Sequence, residues 1–159
     1  MLPVMSTDVT SADETSLASA AAVYGLLGTL LRRVPRDISL TSLATLSTLD
    51  RTGTKRITEL ATLEGVTQPS MTTLIASLEK QGLVQRDGDP NDKRVSLVSL
   101  TDAGREYMLR RRRAGTEAFA TLVSELPSGE AAALAAAIPA LMRLGDLDNQ
   151  RREATLRSR

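Results

Sequence analysis

The 159-residue sequence predicts a mostly α-helical chain that carries one short β-hairpin. Leu, Ala, Val and Ile recur at helical spacing along most of the chain, and aromatic residues make up only 2% of it. The exception is the segment VSLVSL, residues 95–100, whose length and β-branched content are typical of a strand. The turn-forming run DGDPND, residues 87–92, precedes this strand and predicts the bend of a hairpin.

The first predicted helix occupies residues 14–35, after a flexible N-terminal tail over residues 1–13. Apolar residues follow helical spacing along one face of its second half, namely Val23, Leu26, Leu27, Leu30, Leu31 and Val34. A second apolar stripe consists of Leu17, Ala20, Ala21 and Tyr24. A helix that is apolar on more than one face is usually buried on more than one side. We therefore expect this helix to take part in a dimer interface; burial in a monomeric core is the alternative.

The middle of the chain has the pattern of a helix-turn-helix. After a helix over residues 40–50, a short helix ends where Gly65 can adopt a left-handed conformation. Thr67 can cap the next helix, residues 67–81, and Pro69 is tolerated in its first turn. Two helices joined by a tight turn that contains Gly form a helix-turn-helix. We expect the second of them to be a recognition helix.

The outward face of this helix, placed at about 100° per residue, carries small or hydrogen-bonding side chains. Short side chains permit close approach to a major groove, and Gln and Thr can contact base edges and phosphates. The alternative is an ordinary amphipathic helix whose exposed face happens to be polar. The candidate DNA-contacting residues of the helix are Thr67, Gln68, Pro69, Ser70, Thr72, Thr73 and Lys80.

The hairpin follows the recognition helix directly and completes a predicted winged helix-turn-helix domain over residues 36–104, with the wing at residues 87–95. Its predicted tip holds Asp92, Lys93 and Arg94. A minor groove attracts arginine, so we expect Arg94 to enter it while Asp92 orients the guanidinium group. The alternative is a solvated loop of cancelling charge, because residues 54–94 contain six basic and six acidic residues.

Residues 101–159 predict C-terminal dimerisation helices and a charged tail. Thr101 can cap a long helix that runs to about Leu126, and Ser128 can cap a last helix. The run RRRR, residues 110–113, resembles a nucleic-acid patch. Successive helical residues lie about 100° apart, so four in a row cannot share one face, and a solvated surface is the favoured interpretation.

Composition narrows the classes of function. The chain has no Cys and no His, which excludes disulfides, thiolate or His-ligated metal sites and a His-dependent catalytic triad. No constellation of residues predicts an enzyme, a cofactor or a metal. The net charge of +1 requires a nucleic-acid binder to concentrate its positive charge locally. No apolar run is long enough to span a bilayer and no secretory signal is evident, so we expect a cytoplasmic protein.

The order of these elements resembles the MarR family of bacterial regulators over about residues 17–145. The segment DPNDKRVSLVSLTDAG is similar to the family's wing pattern, with matches at Asp92, Arg94, Leu100, Thr101, Ala103 and Gly104. The segment TQPSMTTLIASLEKQGLVQR is similar to its recognition helix and the turn that follows.

The resemblance implies a homodimeric transcriptional regulator, more often a repressor, that binds a pseudo-palindromic operator. It places Gln68, Ser70, Thr72 and Thr73 at the major groove and Arg94 in the minor groove. It also implies release of DNA by a small phenolic or lipophilic effector, for which Tyr24 is a candidate contact. Many members have a basic residue where this chain has Thr73, which leaves a guanine contact there open. The alternative function is a winged-helix protein-interaction module that does not bind DNA.

Overall fold

The computed structural model describes residues 7–33, 37–88 and 96–157. They form two compact units, of which the first holds one helix and the second holds every other element. The elements in chain order are α1 (Thr7–Arg33), α2 (Leu40–Thr52), β1 (Lys55–Arg56), α3 (Ile57–Leu63), α4 (Gln68–Lys80), β2 (Val84–Gly88), β3 (Ser96–Leu100), α5 (Asp102–Ser124), α6 (Ser128–Ala136) and α7 (Ile138–Arg157). None of these described helices is both long and apolar enough to cross a bilayer.

Helix α1 is longer than the sequence predicted. It begins at Thr7, so residues 7–13 are helical and their assignment to a flexible tail was wrong. The rest of that assignment, residues 1–6, lies outside the described residues, as do residues 34–36 at the predicted end of the helix.

Local capping signals fix the ends of several helices, and those predicted at Gly65, Thr67 and Thr101 are confirmed. Ser39 caps α2, and its hydroxyl accepts from the Ser42 backbone N–H at 3.0 Å. Thr101 caps α5 and accepts from the Gly104 N–H at 3.0 Å. Gly65 has a φ of 65°, the left-handed conformation that allows the chain to turn sharply between α3 and α4.

The sheet has three antiparallel strands in the order β1-β3-β2, one more than the hairpin alone would give. In the hairpin, Val84 pairs with Leu100 and Gly88 with Ser96. The additional strand β1 adds Lys55 opposite Val98. Val98 and Leu100 are buried while Leu97 and Ser99 are partly exposed, so alternate residues of β3 face the core.

The hydrophobic core lies between the helix-turn-helix, the sheet and the start of α5. It contains almost only aliphatic side chains, as the scarcity of aromatics requires. The largest fully buried core side chains are Leu46, Leu60, Met71, Ile75, Leu78, Val84 and Val98.

The C-terminal region departs from the prediction in three ways. Ser128 is the first residue of α6 and does not cap it, because Pro127 holds the N-cap position without a side-chain hydrogen bond. The single last helix is divided into α6 and α7 at Ala137, because Pro139 lacks an N–H and is accommodated only in the first turn of a helix. The charged tail is helical as far as Arg157, supported by an ion pair between Asp148 and Arg152 at 2.9 Å, four residues apart.

Candidate nucleic-acid interface

Helix α4 begins at a well-defined N-cap. The Thr67 hydroxyl accepts from the Ser70 backbone N–H at 3.3 Å, and the two hydroxyl oxygens lie 2.9 Å apart. Pro69 occupies the first turn, where no backbone N–H is needed. The hydroxyl groups of Thr67 and Ser70 therefore cap the N-terminal end of α4, which leaves them fewer hydrogen-bonding positions for DNA.

The two faces of α4 have the predicted exposure. Met71, Ile75 and Leu78 are fully buried and hold the helix against the core. The opposite face is exposed along its whole length. Its residues are Gln68, Pro69, Ser70, Thr72, Thr73, Ala76 and Lys80. A ridge of short side chains projecting from a packed helix has the shape that entry into a major groove requires.

The polar groups on this exposed face differ in their freedom to bind. The Thr72 hydroxyl donates to the Gln68 carbonyl at 2.9 Å, and the Thr73 hydroxyl donates to the Pro69 carbonyl at 3.1 Å. Both threonines therefore present a methyl group and an acceptor oxygen outward. Within the part of the chain that the structure describes, Gln68 and Lys80 have no side-chain hydrogen bond or ion pair. All the polar groups of these two side chains are therefore available to a binding partner.

The wing stem stands directly behind α4. Gly82, with a φ of 72°, turns the chain from the helix into β2, and the Leu83 N–H donates to the Leu78 carbonyl at 3.0 Å. The last described pair of the stem is Gly88 opposite Ser96. The predicted tip residues Asp92, Lys93 and Arg94 lie outside the described residues.

The motif Thr-Asp-Ala-Gly anchors α5 to the same turn. The Thr101 hydroxyl donates to the Gly82 carbonyl at 2.6 Å, and the Thr101 N–H donates to the Leu83 carbonyl at 3.2 Å. Gly104 lies so close to that carbonyl that a Cβ atom would overlap it. The turn, the base of the wing and the start of α5 thus form one tightly packed junction.

The arginine run of α5 is engaged within the chain. Arg112 reaches Asp50 of α2 at 3.1 Å, and the Arg111 guanidinium donates to the Tyr107 hydroxyl at 3.0 Å. Arg110 and Arg113 pair with Glu106 and Glu117, one turn away, at 2.7 and 3.8 Å. These contacts support the interpretation of a solvated helix surface over that of a nucleic-acid patch.

A second contact links the end of α2 to α7, where the Arg51 guanidinium donates to the Asn149 side-chain oxygen. Beside it lies an open cavity of about 400 Å³ with lining side chains of both charges, including Lys55, Glu59 and Arg152. Among the described residues there is no group of acidic side chains that could hold a metal ion. Sequence reasoning missed these contacts because they join residues far apart in the chain.

Comparison with protein families matches residues 38–96, from just before α2 to the start of β3, to the model of the MarR family. An HTH-type transcriptional regulator of Mycobacterium tuberculosis is 36% identical over 115 residues, which are 72% of this chain and 80% of that protein. An HTH-type transcriptional regulator of Mycobacterium leprae is 38% identical over 115 residues, which are 72% of this chain and 78% of that protein.

Solved structures share the fold. A transcriptional regulator from Thermotoga maritima superposes with a TM-score of 0.71 at 22% identity, over 86% of this chain and 98% of that one. A mutant of MepR from Staphylococcus aureus, bound to an oligodeoxyribonucleotide, superposes with a TM-score of 0.61 at 21% identity, over 79% of this chain and 96% of its own.

Proposed function

The chain belongs to the MarR family and is a DNA-binding transcriptional regulator, and from this premise we propose that it is a homodimeric repressor of a pseudo-palindromic operator. One observation carries the DNA-binding part of the proposal: an exposed ridge of small and hydrogen-bonding side chains on α4 stands beside the stem of a wing. The alternative, an interaction module that does not bind DNA, offers no reason for a ridge of this shape. A gel shift with the DNA upstream of the neighbouring genes separates the two.

We assign α4 to the major groove. The Gln68 amide can donate to and accept from an adenine edge, and the outward methyl groups of Thr72 and Thr73 can pack against thymine methyl groups. Lys80, at the far end of the helix, can reach a phosphate. Because the net charge is only +1, affinity depends on the placement of these groups rather than on bulk attraction.

We assign the wing to the minor groove, with Arg94 as its principal contact and Lys93 beside it. The substitution Arg94→Ala should weaken operator binding by about 1–3 kcal/mol for each wing, the scale of one good groove contact. Asp92→Ala should have a smaller effect, because Asp92 only orients the guanidinium group. Fluorescence anisotropy titration with operator and scrambled duplexes measures both. Equal affinity of Arg94→Ala and wild type would remove the wing from the interface.

The terminal helices supply the proposed dimer interface. In the single chain several of their apolar side chains are at least half exposed, and exposed apolar helix faces are typical of interaction surfaces. On α1 they are Leu17, Tyr24 and Leu27; on α7 they are Ile138, Met142 and Leu144. A second copy of the chain would remove these surfaces from water, and a permanent interface of this type buries more than about 2,000 Å².

Sedimentation at low micromolar concentration should therefore give twice the mass of the chain. Met142→Glu should shift the protein to monomer, because Met142 is 68% exposed in the single chain and would bring a charge into the interface. Leu40→Glu makes the same change in charge at a residue of α2 that is 60% exposed, and should leave the dimer intact. A wild-type monomer would contradict a model with two half-sites.

The proposal places the regulator in the cytoplasm, without catalytic activity of its own. It includes release of DNA by a phenolic or lipophilic effector, for which Tyr24 is the candidate contact. Tyr24 is 80% exposed in the single chain, where it lies on the face of α1 proposed for the dimer interface. Titration of the operator complex with simple phenols, for wild type and Tyr24→Phe, tests this part separately from DNA binding.

A further inference from the structure

An ion pair joins the recognition helix to the wing stem. The Glu79 carboxylate on the last turn of α4 lies 3.1 Å from the Arg86 Nε atom in the middle of β2. The Arg86 side chain is 27% exposed, the Glu79 side chain 44%. The Arg86 Nε atom itself is buried, but its N–H is not directed at the carboxylate. The contact is thus a close pair of opposite charges rather than an aligned hydrogen bond. Electrostatic attraction between the charges keeps the two side chains near each other.

The register of the hairpin shows what this pair controls. Arg86 is opposite Val98, on the face of the hairpin that Val84 and Leu100 bury against the core. The next residue of β2 on that face is Gly88, which has no side chain. Arg86 is therefore the last side chain by which β2 can be fixed from this face before the wing tip.

We propose that the Glu79–Arg86 pair is a positioning device that sets the angle between the recognition helix and the wing. This inference rests on the proposed function, in which α4 and the wing enter adjacent grooves of one duplex. Both can make contact at once only if the wing is held at one angle to α4. A stem that is free to pivot would have to be ordered on binding, which costs affinity.

The pair is too exposed to contribute much to folding, since ion pairs at this level of exposure have little effect on stability. Its loss should leave the fold intact and release the wing stem. The expected effect of Glu79→Gln on DNA affinity then depends on whether Glu79 acts only through its charge or also positions the wing. Removing a negative charge next to DNA should strengthen binding, whereas loss of positioning should weaken it.

The experiment is a titration of the operator with Glu79→Gln, Arg94→Ala and the double variant. We expect Glu79→Gln alone to bind about fivefold more weakly, with an unchanged thermal unfolding midpoint. In the Arg94→Ala background the same substitution should have no further effect, because the contact that it positions is already lost. Glu117→Gln, which breaks the exposed Arg113–Glu117 pair of α5 with the same change in charge, is the control and should bind like wild type.

Each outcome decides between the explanations. Glu79→Gln binding as tightly as wild type or more tightly would overturn the inference, as would an equal loss in both backgrounds. If Arg94→Ala alone binds like wild type, the wing contact of the proposed function fails and the inference fails with it. A loss that appears only when Arg94 is present supports both.

Discussion

Gly104→Ala should destabilise the chain by about 3 kcal/mol or more. Gly104 is buried in the first turn of α5, against the turn that connects α4 to the wing. An added Cβ would overlap the Leu83 carbonyl oxygen and would lie 3.3 Å from the Leu100 side chain. The carbonyl belongs to the backbone and accepts from the Thr101 N–H, so it cannot rotate away. Either α5 moves off the junction or the hydrogen bonds of Thr101 are lost.

Urea unfolding followed by circular dichroism measures this effect. The control is Gly115→Ala in the same helix, where nothing lies within 4 Å of an added Cβ. Alanine favours a helix over glycine by up to about 1 kcal/mol, so the control should be neutral or stabilised. If Gly104→Ala unfolds at the same urea concentration as wild type, Gly104 does not pack closely against the Leu83 carbonyl.

Ala76→Glu should reduce operator affinity about 100-fold or more. Ala76 lies in the middle of the exposed ridge of α4, so a glutamate there would face the phosphates and bases of the major groove. Like charges brought together in an interface cost several kcal/mol. The fold should survive, because Glu is a good helix former and the site is exposed.

Ala118→Glu makes the same change in net charge at an exposed alanine of α5. It should bind the operator with nearly the affinity of wild type, and sedimentation verifies that both variants keep the same assembly. An equal loss in the two variants would assign the effect to overall charge. Wild-type affinity of Ala76→Glu would remove the exposed face of α4 from the interface.

The parts of the fold that the sequence predicted are those specified by neighbouring residues. The caps at Thr67 and Thr101 and the left-handed conformation of Gly65 depend on contacts within a few positions. Strand β1 was missed because Lys55 has little intrinsic preference for a strand and pairs with Val98, far along the chain. The helical structure of the C-terminal tail was not predicted, because its support comes from side-chain pairs rather than from apolar periodicity.

In the candidate site, too, some features follow from local sequence and could be predicted, while others could not. Helical periodicity was enough to predict which residues of α4 are exposed, from Gln68 to Lys80. It could not predict that Thr72 and Thr73 use their hydroxyl hydrogens within the helix, because that depends on the rotamer of each side chain. The Glu79–Arg86 pair depends on the register of the hairpin, which no short stretch of sequence specifies.

Protection of operator DNA from dimethyl sulfate tests most directly whether a dimer reads two half-sites. The reagent methylates guanine N7 in the major groove and adenine N3 in the minor groove, so it reports on α4 and on the wing separately. We expect two patches of major-groove protection separated by about 10 base pairs or a multiple of it, flanked by minor-groove protection that Arg94→Ala removes. A single patch, or protection confined to one groove and unchanged by Arg94→Ala, would contradict this account.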